Sequence, residues 1–91
     1  MFAKAVTEQI LKIRLPSDVP HDGLFDAVFD RYLIRSDLMG LEVVQAGMLT
    51  ELVYGVELKK DASPQDLLNA LRKLNDNNKV LLITGYHEVD L

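Results

Sequence analysis

Two histidines in this chain stand beside carboxylates, His21 with Asp22 and His87 with Glu88 and Asp90, residue types that can ligate a metal ion or move a proton. Neither set has the spacing of a metal centre, so both read as parts of a solvated loop and a solvated tail. Asp26 and Asp30 are four positions apart, which would put two carboxylates on one helix face for acid–base work. They fall opposite an apolar stripe with Arg31 close by, the pattern of a solvated polar face. The stretch with the strongest ligand-binding character is the loop of Pro16, Ser17, Asp18, His21, Asp22 and Gly23. It leads into a helix start whose unpaired N–H groups could hold a carboxylate or phosphate. The plainer reading of the same loop is a strand–helix connection capped by Asp22. No nucleophile, base and oxyanion donor can be assembled, so neither catalytic residues nor a cofactor is expected. A minor activity resting on His21 and Asp22 is the remote enzymatic alternative.

The elements that would position these groups form one small domain. Ninety-one residues, 48% of them hydrophobic, suffice for a single two-layer core. Ten Lys and Arg against 14 Asp and Glu leave a net charge of −4, which disfavours nucleic acid and anionic membrane surfaces as partners. The absence of cysteine excludes disulfides, thiolate catalysis and iron–sulfur ligation, and is compatible with a reducing compartment. No apolar run approaches a membrane span, and MFAKAV lacks the apolar region of a signal peptide. A soluble cytoplasmic domain is expected.

Met1 to Gln9 reads as a lead-in. Ile10 to Leu15 alternates, with Leu11, Ile13 and Leu15 inward and Lys12 and Arg14 outward, and Pro16 ends that strand. A helix is predicted to start at Asp22 or Gly23 and to bury Leu24, Phe25, Val28, Phe29 and Tyr32 along one stripe. Leu38 to Lys59 reads as two strands folded back at Ala46–Gly47, and this hairpin organises the chain. In its second arm Leu52, Tyr54, Val56 and Leu58 share one face, while Glu51, Val53, Gly55 and Glu57 share the other. Met39 and Met48 flank the bend as packing residues. Ser63 caps a second helix with Pro64 at its first position and Asp66 three residues after the cap. Its stripe is Leu67, Leu68, Leu71 and Leu74, and it dissolves at Asn75–Asp76–Asn77–Asn78. Lys79 to Thr84 is a last strand before Gly85 and a tail over 86–91.

The order is β-α-β-β-α-β, an α+β ferredoxin-like two-layer sandwich over residues 10–85 in which two helices cover one face of a four-stranded antiparallel sheet. The last strand is apolar on both sides, Val80 and Leu82 on one and Leu81 and Ile83 on the other, and Ile10 and Val53 also point away from the helices. Apolar groups on that side predict a partner, most simply a second copy, hence a dimer through the open sheet face. Acylphosphatases share the topology but need an anion-cradling loop with an Arg after the first strand, which Ser17 to Gly23 lacks. RNA-recognition domains need exposed aromatics on inner strands, and Tyr54 stands alone on an acidic chain.

The topology and the loop after the first strand resemble ACT domains, regulatory modules that pair and often bind amino acids at the interface. The segments LKIRLPSDVPHDGLFDAVFDRYL, MGLEVVQAGMLTELVYGVELK and PQDLLNALRKLN go further. Across Ile10 to Thr84 they resemble the soluble C-terminal domain of an uncharacterised family of bacterial multi-pass membrane proteins commonly associated with VTC-type polyphosphate polymerases. MgtC-type membrane proteins carry a similar ACT-like appendage. Where such domains tend to have Asn at the hairpin, this chain has Gln45–Ala46–Gly47. The resemblance implies a cytosolic, ACT-like appendage of a membrane protein and no catalytic residues. The expectation is a non-enzymatic, dimerising regulatory or ligand-sensing domain whose partners are a second copy, a small anionic metabolite, and its own membrane segment or a neighbouring subunit. A purely structural assembly module is the alternative.

Overall fold

The computed structural model describes residues 8–85, and the expected roles of His87, Glu88 and Asp90 lie outside them. Six elements follow in the order β1 (Gln9–Pro16), α1 (Asp26–Tyr32), β2 (Leu33–Val44), β3 (Leu49–Leu58), α2 (Pro64–Arg72) and β4 (Val80–Ile83). The sheet order is β2-β3-β1-β4, and every neighbouring pair is antiparallel. With the two helices this is the ferredoxin-like βαββαβ fold.

The inward face of β1 is Leu11, Ile13 and Leu15, all with no exposed surface, and the register sets Tyr54, Leu52 and Thr50 beside them on β3. Phe25, Leu33, Val56, Leu67 and Leu71 complete the buried core. Each fully buried Leu or Phe contributes about 1.5–3 kcal/mol of transfer free energy, which holds both helices against one side of the sheet.

The second helix forms as its sequence predicts. Ser63 is the N-cap, its hydroxyl accepts from the Asp66 N–H at 3.2 Å, and Pro64 takes the first turn. Leu67 and Leu71 are buried, but the helix ends at Arg72 and leaves Leu74 exposed, off the expected stripe.

The first helix departs from expectation. It spans seven residues, its N-cap is Phe25, and no side chain caps it, so the Asp22 cap is not formed. Gly23 is the reason. Its φ of +75° is left-handed and incompatible with a helix start, so residues 22–25 form turns before Asp26. At its other end Leu33 is extended and the chain enters β2 directly. Strand β2 therefore begins at Leu33 rather than Leu38, because residues 33–37 pair with β3. Two irregularities interrupt that pairing, between Leu33 and Arg35 and between Leu38 and Gly40.

The uncovered face also differs from expectation. Ile10 and Val53 do lie there, on the side of the register opposite Leu11 and Leu52, and the β1–β4 pairing sets Leu81 and Ile83, rather than Val80 and Leu82, beside them. Ion pairs share the surface with them. Arg14 Nε meets Glu51 Oε1 at 2.9 Å, and Arg35 lies within 3.4–3.5 Å of Glu8, Asp37 and Glu57. Over Gly55 the Glu8 carboxylate and the Met39 thioether approach so closely that an added Cβ would lie 2.5 Å and 2.8 Å from them. The face is half apolar and half charged. Met39 adds a largely exposed apolar group to this face, while Leu38, Leu41 and Val43 of β2 and Met48 at the turn sit elsewhere.

Candidate functional site

The loop with predicted ligand-binding character divides into two parts. Pro16 is the last residue of β1 and pairs with Leu49. The Ser17 N–H donates to the Met48 carbonyl at 3.1 Å, and the Ser17 and Thr50 hydroxyls share a hydrogen bond of the same length. Ser17 and the exposed Asp18 therefore lie beside the tip of the β2–β3 hairpin. His21, Asp22 and Gly23 lie further along, in a cleft of about 250 Å³ that they line with Phe25, Asp26, Phe29, Ser36, Leu38 and Tyr54. Pro16, Ser17 and Asp18 do not reach this cleft.

Its chemistry is acidic and aromatic. Phe29 meets Tyr54 edge-on with ring centroids 5.0 Å apart, and Phe25 stacks on Phe29. Burial raises the Tyr54 phenol above its ordinary pKa of 10.0, and the negative charges of Asp26 and Asp22 raise it further. The cleft thus favours the neutral phenol and, by the same field, repels anions. Its helix is too short and its wall too acidic for the carboxylate or phosphate that the loop position suggested. His21 Nδ1 is 3.6 Å from Asp22 Oδ1, but the Asp22 side chain is 99% exposed. Among the described residues no hydrogen bond joins the Ser36 hydroxyl to His21, although both line the cleft. Nor does any group of three or more His, Asp or Glu side chains converge among the described residues.

Asp26 and Asp30 are both exposed, as a solvated face requires, yet Asp26 also walls the cleft and the Asp30 carbonyl accepts from Lys59 Nζ at 2.7 Å. Met48 is 70% exposed rather than packed, whereas Met39, 57% exposed, still lays its thioether over Gly55.

Cations gather on the other side of the sheet. Lys12, Arg14 and Lys79 line a cleft of about 130 Å³ with Glu51 and Leu81. Sequence spacing gave no signal for this cluster, since Lys79 reaches Arg14 only through β1–β4 pairing, where the Arg14 N–H donates to the Lys79 carbonyl at 3.0 Å. On the same sheet row Glu42 pairs with Glu51 across β2–β3. One edge of the uncovered face is therefore acidic and the other basic.

No helix among the described residues is long and apolar enough to cross a membrane. No family model matches the chain, and no curated protein or solved structure is detectably similar to it.

Proposed function

We propose that this chain is a non-enzymatic association domain that forms a homodimer through the uncovered face of its sheet and acts as a regulatory appendage on the cytoplasmic side of a membrane protein. The observation that carries the dimer is the apolar band of Ile10, Val53, Leu81 and Ile83 on a face with no helix over it. Charge supports the same geometry. A twofold axis along the strands would set Glu42 and Glu51 of one copy over the Lys79 and Arg14 positions of the other, as aligned sheet packing allows. The appendage rests only on the motif-level resemblance of residues 10–84 to soluble domains of multi-pass membrane proteins, which no family model or curated protein match accompanies.

Light scattering on the purified 91-residue chain tests the dimer. Twice the monomer mass is expected at hundreds of micromolar, with Val53→Lys or Leu81→Lys reverting it to monomer. A strict monomer at that concentration sinks the proposal.

A second reading keeps the small anionic ligand but moves it from the loop to Lys12, Arg14 and Lys79, whose three cations outnumber Glu51. Titration with inorganic phosphate, followed by amide chemical shifts, would perturb these residues if it holds and leave them unmoved if the domain only assembles.

A further inference from the structure

The helix layer stops short of the hairpin tip. Leu38, Leu41 and Val43 pair with Tyr54, Leu52 and Thr50, so they project from β2 on the helix side of the sheet. Leu52 on that side is fully buried, yet Leu38, Leu41 and Val43 are 51%, 57% and 63% exposed, and Met48 at the turn is 70% exposed. Seven-residue α1 covers only the start of β2, and beyond it the hairpin is an apolar ledge. Five strand residues separate Leu38 from Val43, about 17 Å. That matches roughly three turns of an α-helix laid along the ledge.

The loop and α1 form the wall beside it. Residues 17–32, the loop and α1 together, hold four Asp against the single Arg31, a charge of −3 with His21 neutral. Asp22 and Asp26 stand with Leu38 in the cleft. Asp18 follows Ser17, whose N–H is bonded to the Met48 carbonyl at the other end of the ledge. Carboxylates therefore stand toward both ends of an exposed apolar stripe, Asp22 and Asp26 at Leu38 and Asp18 beyond the residue bonded to Met48.

We infer that this ledge is a docking site for a basic amphipathic segment of another protein chain, its apolar side chains on Leu38, Leu41, Val43 and Met48 and its Lys or Arg side chains against Asp18, Asp22 and Asp26. Charge selects that occupant. A second copy laid ledge to ledge would oppose two acidic walls, and nucleic acid or an anionic metabolite would meet the same repulsion. The two interruptions in β2 pairing twist the edge and disfavour strand addition, which leaves the side-chain surface as the recognition element. This surface lies on the opposite side of the sheet from the proposed dimer face.

The test uses the full chain and a labelled helical peptide of about 16 residues, with Leu at i, i+3, i+4 and i+7 spacing and Lys elsewhere, read by fluorescence anisotropy and amide chemical shifts. Saturable binding is expected, weakening with salt, with shifts at Leu38, Leu41, Val43, Asp22 and Asp26. Leu41→Ser and Val43→Ser, both exposed and harmless to the core, are expected to weaken it about tenfold each. Asp22→Asn with Asp26→Asn should flatten the salt dependence. Equal binding of a scrambled peptide or of one with Glu for Lys would overturn the inference, as would absence of binding at millimolar peptide or shifts confined to Lys12, Val53 and Leu81. So would a dimer abolished by Leu41→Ser but not by Val53→Lys, which would make the ledge a self-interface. Val53→Lys removes the proposed dimer and leaves peptide binding intact, so the two proposals fail separately.

Discussion

The side-chain nitrogen of Asn75 lies 2.8 Å from the main-chain carbonyl oxygen of Arg14 and 3.1 Å from that of Asn78. Asn75 is 1% exposed, and both neighbours are acceptors, which fixes its amide with nitrogen toward them. One side chain thus fastens the turn after α2 to the middle strand β1, and through it positions β4. Its Oδ1 has no hydrogen-bond partner among the described residues.

Replacing Asn75 with Ala should remove two part-buried bonds to main-chain carbonyls, destabilising the domain by about 1–3 kcal/mol. Asn75→Asp should do worse, since it sets a carboxylate against two carbonyl oxygens. Urea unfolding followed by circular dichroism would measure both. Losses no larger than that of the exposed Gln65→Ala would show that the fastening is dispensable.

At the hairpin turn Gln45 and Ala46 have φ of 51° and 55°, and Gly47 follows at 90°. Left-handed backbone costs a non-glycine residue about 1–2 kcal/mol. Ala46→Gly should therefore raise stability by a fraction of that amount. Gly47→Ala should lower it although open space surrounds the new methyl group. Melting temperatures moving the other way would refute this account of the turn.

Ser63→Ala removes the acceptor for the Asp66 N–H and should cost about 1 kcal/mol. Ser63→Asp, which keeps an acceptor and adds charge favourable to the helix start, should retain most of the stability. If the two variants unfold alike, the cap contributes nothing.

Tyr54 titrates above its ordinary value, so the folded state holds the phenol proton more tightly than the unfolded chain does. Its contribution is complete below pH 10.0 and is lost as pH rises through the folded pKa. Tyr54→Phe should blunt the alkaline loss of stability, and Asp26→Asn should lower the phenol's midpoint in ultraviolet titration. An unchanged midpoint in Asp26→Asn would rule out the carboxylate's influence.

Much of this molecule can be read from local residue order. Alternation in Leu11–Ile13–Leu15 and Leu52–Tyr54–Val56 identifies inward faces, and Ser63–Pro64 marks a helix start, because strand period, capping and proline geometry act over a few residues. The loop before α1 was legible as a position, but the acidity of the cleft it lines was not, since the carboxylate of Asp26 joins that cleft only in the folded chain.

The sequence by itself determined six elements, their order and which side of each central strand is buried, since these follow from periodicity and turn chemistry within short windows. Only the tertiary structure decided how far each helix reaches over the sheet, and so that Leu38, Leu41 and Val43 stay exposed while Leu52 on the same side does not. It likewise decided that Asn75 is buried and that Lys79 stands beside Arg14. Exposure and charge neighbourhood depend on contacts between residues far apart in the chain, and no short window of sequence contains both partners.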